Sequence, residues 1–354
     1  MDRGSRKSPE RVFPRQLVFI VPPHIQKEII RNGTAAEREA MLHQLSVSEM
    51  LRGGRQAFAG PAAAVPAGRR RRAVYDAGGS EQLPGLLVRE EGGRASRNRA
   101  VNEAYSASGR MYDFMAKVYG RSSIDGRGMR LDASVHFGVR YDNAFWNGSQ
   151  MVYGDGDGMV FNRFTRAIDV VGHELTHGIT QNEAGLQYRD QPGALNESFS
   201  DVFGSLLKQW VKKQTAAQAD WIIGEGLFTR RIKAAGLRSM KAPGTAYDDP
   251  LIGRDPQPAH MKDYYRGADD NGGVHINSGI PNHAFYLAAV AIGGNAWEKA
   301  GRVWYVALCD RLRRGSSFAD TARITVAVAG ELFGRGGKAQ AAVQSAWKQV
   351  GVAG

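Results

Sequence analysis

The chain has 354 residues, 42% of them hydrophobic, so it is long enough for two lobes around a buried core and is not disordered throughout. Its single cysteine, Cys309, excludes a disulfide framework and any zinc finger built from cysteines. A formal charge of +12 would favour nucleic acid or an anionic surface as a partner if it were spread over the chain.

The positive charge is instead concentrated in the first fifth of the chain. Residues 1–68 hold ten Lys/Arg against six Asp/Glu, and Arg69–Arg72 adds four arginines. Residues 73–354 hold 33 basic and 29 acidic side chains, the balance of an ordinary globular protein. We therefore expect no nucleic-acid partner for the main part of the chain.

The N-terminal region begins with a short apolar run followed by a helical pattern. The run Leu17–Val21 is stopped by two prolines and is too short for the hydrophobic region of a signal peptide. No stretch approaches the ~20 apolar residues that a transmembrane helix needs. We expect cytoplasmic synthesis without a signal peptide and no membrane association, while secretion by another route stays open.

Residues 53–72 are mostly glycine, alanine, proline and arginine, a composition that predicts a flexible linker. The arginine run at its end has three interpretations: a solvated tether, which we favour, a cutting site for a trypsin-like protease, or a nucleic-acid-binding arm. The third is the weakest, because no aromatic residues alternate with the arginines to stack on bases.

The pattern of predicted elements changes at about Phe161. From Ala73 to about Gly158, short β-type runs are broken by glycines, with one helix predicted over 96–119. Longer helices are predicted over 165–181, 195–213, 278–292, 296–312 and 318–331. This order predicts an α+β protein with a β-rich N-terminal lobe and a helical C-terminal lobe, whose chemistry would lie in the cleft between them.

The sequence His-Glu-Leu-Thr-His at 173–177 is the clearest chemical motif. On a helix, His173 and His177 share one face and can reach the same cation, and zinc suits neutral imidazole ligands. Glu174, beside the first ligand, can take a proton from a water activated at the metal. The motif alone also arises by chance in a few per cent of chains of this length, so a third ligand would strengthen the assignment.

A candidate third ligand follows 20 residues later in Asn-Glu-Ser-Phe-Ser-Asp, at 196–201. Glu197 would complete a set of two histidines and one glutamate, which is typical of catalytic zinc. Asp201, one helical turn further on, would accept the free N–H of His173 and fix its tautomer. Without the upstream motif, Glu197 would be an ordinary carboxylate at a helix N-terminus.

These motifs resemble those of the thermolysin family of metallopeptidases, and the likeness runs from about Arg72 to the C-terminus. The stretch 141–148, Tyr-Asp-Asn-Ala-Phe-Trp-Asn-Gly, resembles the edge strand of that family. The resemblance implies that the backbone of Ala144 and Trp146 pairs with an extended substrate, by β-augmentation, and that Asn143 holds a substrate carbonyl.

Three further matches imply the groups that stabilise the transition state. The stretch 270–279, Asp-Asn-Gly-Gly-Val-His-Ile-Asn-Ser-Gly, is a long match to the family. By this resemblance His275, oriented by Asp270, and Tyr188, in Gly-Leu-Gln-Tyr, donate hydrogen bonds to the oxyanion. Arg238, in Leu-Arg-Ser-Met, would bind the carbonyl group beside the specificity pocket. Oxyanion donors of this kind typically contribute ~10²–10³ each in rate.

The family often carries a pair of calcium ions near the zinc helix. By resemblance, Asp169, Asp220 and Glu225 match ligands of that site, but Lys208 and Ile222 stand where two glutamates are expected. We therefore hypothesise that the double site is lost, that the Lys208 ammonium replaces cation charge, and that at most one calcium ion remains.

The N-terminal segment of the chain resembles the short prosegment of the protealysin-like branch of the family. Residues 19–25, Phe-Ile-Val-Pro-Pro-His-Ile, and residues 255–261, Asp-Pro-Gln-Pro-Ala-His-Met, carry this resemblance. It implies a zymogen in which residues 1–68 form a propeptide and linker that inhibits its own cleft. The lobes would span 69–182, including the zinc helix, and 183–354, and self-cleavage between about 53 and 72 would release activity.

The sequence thus predicts a thermolysin-like zincin: a monomeric, zinc-dependent neutral endopeptidase acting on peptides and proteins. By resemblance it favours a bulky hydrophobic residue on the C-terminal side of the cut. Two alternatives are a catalytically silent zinc-binding pseudo-peptidase and a nucleic-acid-binding protein that uses its arginine run. The presence of Glu174, Tyr188 and His275 argues against the first, and the position of the charge argues against the second.

Overall fold

The computed structural model describes residues 17–53 and 69–352. It confirms a β-rich N-terminal lobe and a helical C-terminal lobe, preceded by a small helical unit that packs on both. A single large hydrophobic cluster runs through the prosegment and both lobes. Within the described residues, no helix has the length and apolar character needed to cross a membrane.

The prosegment forms one short strand and two helices: β1 (Val18–Phe19), α1 (Pro23–Asn32) and α2 (Ala35–Gly53). Proline suits the first position of α1, because the N–H that it lacks would have no partner in the helix. Ile25 and Ile29, four residues apart on α1, are both buried. This apolar helix face anchors the prosegment, together with an ion pair of 2.6 Å between Glu37 of α2 and Arg231.

Six strands form the sheet of the N-terminal lobe: β1, β2 (Arg72–Asp76), β3 (Leu86–Glu90), β4 (Leu131–Val135), β5 (Ala144–Trp146) and β6 (Met151–Tyr153). Their order in the sheet is β1-β5-β6-β4-β2-β3. The prosegment strand β1 is antiparallel to β5, while β2 is parallel to β4 and β4 to β6. Helix α3 (Arg99–Tyr119) packs on this sheet and is capped by Asn98, worth about 1 kcal/mol.

Two long helices, α4 (Ile168–Asn182) and α5 (Asp190–Lys212), pack together between the lobes. Glycines allow their close approach: a Cβ on Gly204 would lie 2.4 Å from the carbonyl oxygen of Asp169. A Cβ on Gly172 would lie 3.0 Å from the Cα of Gly204. This packing brings the inward faces of the two helices together.

The C-terminal lobe completes the fold with short ladders and five further helices. Helix α6 is interrupted at 270–273, where every residue has positive φ, so that the chain turns sharply just before His275. The two-stranded ladder of β7 and β8 carries Arg238. The elements are β7 (Ile222–Ile223), β8 (Arg238–Ser239), β9 (Asp248–Asp249), β10 (Gly253–Arg254), α6 (Asp269–Asn277), α7 (Gly279–Ile292), α8 (Ala300–Val306), α9 (Phe318–Phe333) and α10 (Lys338–Gln349).

Candidate active site

Helices α4 and α5 bring together three metal-binding side chains. His173 and His177 lie one turn apart on α4 with their Nε2 atoms 3.0 Å apart. Glu197 on α5 approaches both, with carboxylate oxygens 3.4 Å from His173 Nε2 and 3.5 Å from His177 Nε2. All three side chains are buried. They are the one group of metal-binding geometry found among the described residues.

The hydrogen bonds of the two histidines fit a cation at this point. His173 Nδ1 lies 2.8 Å from Asp201 Oδ1, and His177 Nδ1 lies 2.8 Å from Asn196 Oδ1. Because both acceptors require a proton on Nδ1, the neutral forms of the two imidazoles turn the lone pairs of their Nε2 atoms toward each other, an arrangement that a cation between them would stabilise. Glu197 Oε2 is buried without a hydrogen-bond partner among the described residues. This donor set fits zinc.

Glu174 lies beside the metal donors on α4 and is fully buried. Its Oε2 accepts a hydrogen bond of 2.9 Å from the backbone N–H of Trp146 on β5. Its Oε1 has no partner in the described part of the chain. Burial raises the pKa of this carboxyl group to about 8. The group keeps one acceptor oxygen that the protein does not use, as a general base requires.

Two hydrogen-bond donors, Tyr188 and His275, adjoin the metal donor Glu197. Tyr188 donates from its hydroxyl to Glu197 Oε1, and the same hydroxyl is 3.2 Å from His275 Nε2. His275 Nδ1 donates to Asp270 Oδ1 at 2.7 Å, and the His275 backbone N–H donates to Asp270 Oδ2 at 2.8 Å. Asp270 therefore fixes the imidazole so that Nε2 faces the cleft.

Arg238 on β8 is held by the same carboxylate that orients His173. Its Nε donates to Asp201 Oδ2 at 2.7 Å and its Nη2 to Asp201 Oδ1 at 2.8 Å. This is a bidentate pair between fully buried groups, so the direction of the guanidinium is fixed. Its remaining Nη1 donates to the carbonyl oxygen of Ile20 in the prosegment, at 3.4 Å.

Comparison with known proteins gives the family. Residues 67–181 match the thermolysin metallopeptidase catalytic domain, and residues 184–352 match the thermolysin metallopeptidase alpha-helical domain. The chain belongs to the thermolysin family of metallopeptidases. It is a zinc metalloendopeptidase in its precursor form.

Individual relatives agree with this. The "Extracellular metalloprotease" of Pectobacterium carotovorum subsp. carotovorum is 52% identical over 339 residues, covering 96% of this chain and 97% of the relative. "Protease PrtS" of Photorhabdus sp. (strain Az29) is 46% identical, covering 94% and 91%. The solved precursor of protealysin, from Serratia proteamaculans, is 54% identical with a TM-score of 0.88, covering 95% of this chain and all of that one.

The prediction of a cytoplasmic location is wrong for this thermolysin-family member. That expectation rests on the apolar run Leu17–Val21, which is too short for the hydrophobic region of a signal peptide. The relative that is 52% identical is named an extracellular metalloprotease and is matched over almost its whole length. The apolar run that looked too short for export is instead part of the folded prosegment, as strand β1.

Strand β1 of the precursor occupies the edge of the thermolysin-like sheet. Phe19 pairs with Phe145 of β5, and its carbonyl oxygen lies 3.1 Å from His275 Nε2. The Ile20 N–H donates to the Ala144 carbonyl oxygen at 3.1 Å. The next residue, Val21, donates its N–H to Asn143 Oδ1 at 3.0 Å. The sequence-predicted substrate residues therefore contact the chain's own prosegment.

The three candidate calcium ligands surround an ammonium group. Lys208 Nζ lies 3.2 Å from Asp169 Oδ2, 2.7 Å from Asp220 Oδ1 and 4.0 Å from Glu225 Oε2. It also donates to the backbone carbonyl of Ile222. The positive charge that these carboxylates require is thus supplied by a side chain of the same protein.

The favoured interpretation of the arginine run, a solvated tether, is wrong for two of its members. Arg70 Nη1 donates to Asp113 at 2.8 Å and Arg72 Nε donates to Glu91 at 2.6 Å. Arg72 is only 6% exposed and begins strand β2. The folded lobe therefore begins within the run, because acidic partners that are distant in sequence bind its arginines.

Sequence reasoning missed two residues that orient the site. Asn196 accepts from His177, as described above, and Gln257 Nε2 donates to the backbone carbonyl of His275 at 2.7 Å. Asn196 adjoins a predicted metal ligand, and its position beside Glu197 was the one available signal. Gln257 lies in the segment 255–261 that carries the branch resemblance, but a lone glutamine does not indicate its partner.

Proposed function

We propose that Glu174, with zinc held by His173, His177 and Glu197, forms the catalytic centre of an endopeptidase whose own prosegment blocks its cleft. The observation that carries the proposal is the meeting of the three metal donors with a general base that keeps one unused oxygen. The two groups assigned to the transition state, Tyr188 and His275, lie 3.2 Å apart, and His275 Nε2 lies 3.5 Å from the metal donor Glu197.

Zinc, when bound, supplies Lewis acidity to the scissile carbonyl and to the attacking water. Glu174 takes a proton from that water and passes it to the nitrogen of the leaving amine. His275 and Tyr188 donate hydrogen bonds to the carbonyl oxygen as negative charge develops on it. Asp270 keeps the imidazole of His275 in position throughout.

The prosegment contacts support a substrate orientation. If His275 serves the scissile carbonyl, its 3.1 Å contact with the carbonyl oxygen of Phe19 supports assigning Phe19 to the N-terminal side of the cut. Ile20 then lies on the C-terminal side, with its carbonyl oxygen against Arg238 and its side chain fully buried. This agrees with a preference for a bulky hydrophobic residue after the cut, since burial of such a side chain contributes about 1.5–3 kcal/mol.

The proposal includes the division of the chain and its state of assembly. Residues 1–68 would be removed on maturation, leaving lobes at 69–182 and 183–354 that act as a monomer on peptides and proteins. The start of β2 at Arg72 supports this boundary, since the chain is integrated into the sheet from that point. Neither nucleic acid nor a membrane is expected as a partner.

Matched peptides test the proposed activity and bond preference. Two blocked peptides that differ only in carrying Leu or Asp after the cut should be cleaved by the processed enzyme with kcat/KM at least tenfold higher for Leu. A zinc chelator should abolish cleavage and added zinc should restore it. Glu174→Ala should lower kcat by at least about 10²-fold, because it removes the general base.

The control is Glu183→Ala. Glu183 follows the last residue of the same helix, but its carboxylate pairs with Arg121 and does not face the metal donors. We expect this variant to keep kcat within about twofold. Chelator-resistant cleavage, or equal losses in the two variants, would contradict the assigned role of Glu174. No cleavage of either peptide would favour the alternative of a zinc-binding pseudo-peptidase.

A further inference from the structure

The carboxylate of Asp201 serves two functional groups at once. Its Oδ1 accepts hydrogen bonds of 2.8 Å from His173 Nδ1 and 2.8 Å from Arg238 Nη2, and its Oδ2 accepts one of 2.7 Å from Arg238 Nε. It is fully buried on α5. The orientation of this one carboxylate therefore determines the orientation of two groups: the imidazole of a metal ligand and the guanidinium that faces the substrate.

The fourth acceptor position of this carboxylate is filled by Asn282. An ionised carboxylate offers about four lone-pair sites, and three are used by His173 and Arg238. The side-chain Nδ2 of Asn282 donates to Asp201 Oδ2 at 2.9 Å, and Asn282 is fully buried. Asn282 therefore completes the hydrogen bonding of Asp201 from a different helix.

Helix α7, which carries Asn282, is joined to the segment that carries His275. It begins at Gly279, and Ser278 immediately before it donates from Oγ to the backbone carbonyl of His275 at 3.0 Å. The amide of Asn282 thus ties the α6–α7 region to the Asp201 carboxylate on α5. A shift of one helix relative to the other would change the direction of that carboxylate.

We infer that Asn282 is a positioning residue, which holds Asp201 in the orientation that serves His173 and Arg238 together. The inference rests on the proposed roles of those two residues in metal and substrate binding. Packing of the core alone does not explain why this residue carries an amide, because Asn282 Oδ1 is buried without a partner among the described residues. Burying an unpaired amide oxygen is costly, so a residue kept only for packing would be expected to be apolar.

Zinc affinity tests the inference without depending on catalysis. The background is the full chain carrying Glu174→Ala, which is expected to stay unprocessed, and zinc is the probe, in competition with a chelator of known affinity. Asn282→Ala should weaken zinc binding by up to about 10–100-fold, the range for losing the hydrogen-bond partner of a metal ligand, because it lets Asp201 turn away from His173. In the processed enzyme the same change should raise KM as well as lower kcat, because Arg238 also loses its fixed direction.

Gln209→Ala is the matched control. Gln209 is also a fully buried amide with one donated hydrogen bond, to Ser205 Oγ at 3.1 Å, and an unpartnered oxygen, but it lies outside the Asp201 network. We expect zinc affinity within twofold of the background for this variant. Thermal unfolding of both variants shows whether either has lost its fold.

Asn282→Asp separates positioning from packing. This near-isosteric side chain can donate to Asp201 only while it is protonated, so its zinc affinity relative to the background should fall as pH rises. The deficit of Asn282→Ala should be the same at every pH. If both variants and Gln209→Ala bind zinc equally, or if Asn282→Asp matches the background at all pH values, the inference is overturned. Failure of the Glu174→Ala background itself to bind zinc would instead overturn the proposed function.

Discussion

Lys208 shows how a single side chain can take over the task of a bound ion. Its ammonium is 3% exposed and is surrounded by Asp169 and Asp220, with Glu225 at the edge. Burial opposes the charge, but the two aspartates hold the pKa of Lys208 above its usual range. The Lys208 ammonium therefore keeps its charge while buried, and its stability in the fold depends on the carboxylates around it.

Removing this ammonium should destabilise the protein strongly. Lys208→Met leaves Asp169, which is 2% exposed, without its cation, and breaking a buried pair in this way costs about 3–5 kcal/mol. The free energy of unfolding in urea, measured on the Glu174→Ala precursor, checks this. Lys212→Met is the control, because Lys212 is 44% exposed and its pair with Glu225 should contribute at most about 1 kcal/mol. A calcium titration showing two tight sites in the unaltered chain would contradict the replacement of calcium by Lys208.

At the scale of elements, helix α2 of the prosegment is fastened to the N-terminal lobe through Asp142. Gln44 accepts from the Asp142 backbone N–H at 2.8 Å and donates from Nε2 to its carboxyl oxygen Oδ2 at 3.2 Å. The other carboxyl oxygen accepts from the Asp157 N–H at 2.7 Å. Burial, with the nearby charge of Asp157, raises the pKa of Asp142 to about 8.

This buried carboxyl makes docking of α2 dependent on pH. We expect undocking of α2 to expose this carboxyl group to water and to return its pKa toward the ordinary value, so that docking takes up a proton. The contribution of protonated Asp142 to the free energy of docking is complete below its ordinary pKa near 4 and is lost as pH rises through about 8. The opening free energy of α2, measured by hydrogen exchange of the Glu174→Ala precursor between pH 6 and 8, should fall by at most about 1.4 kcal/mol per pH unit.

Asp142→Asn provides the matched comparison, since it keeps the shape and cannot ionise. Its opening free energy should not change with pH over the same range. If the opening free energy falls equally with pH in the two proteins, a group other than Asp142 causes the pH dependence.

Periodicity predicts the long helices well because tertiary packing requires a continuous apolar face. Helices α4, α5, α7 and α9 all begin or end within a few residues of the predicted bounds. Helix α10 was not predicted, since its alanines and glutamines give a weak apolar pattern. Strands β7 to β10 have two residues each, too few for an alternation to be recognised.

The sequence predicts those residues of the site that belong to a recognisable motif. His173, Glu174 and His177 have a spacing with a physical reason, and Glu197 was recognised by its distance from them. Asn282 has no such signal, because a single asparagine in a helix indicates nothing about a carboxylate 81 residues away. Its contribution depends on how α5 and α7 pack, which only the folded chain provides.

At the scale of the whole molecule, the precursor places one segment of its own chain in the cleft. Strand β1 is paired with β5, and the backbone of Phe19 and Ile20 contacts His275 and Arg238. The segment between α2 and β2 contains the expected cleavage region. It cannot enter the same cleft while β1 remains there, since both would need the edge of β5.

We therefore predict that the self-cleavage expected from the sequence takes place between two molecules of the protein rather than within one. The Glu174→Ala precursor should remain intact alone and be cut between 53 and 72 when processed enzyme is added, at a rate proportional to the enzyme concentration. Unaltered precursor, freshly purified, should mature after a lag that shortens as its concentration rises. Mass spectrometry of the new N-terminus identifies the cleaved bond. Gel densitometry over a 30-fold dilution series measures the rate of cleavage and the length of the lag. A half-time that does not change on dilution would show instead that β1 leaves the cleft and the chain cuts itself.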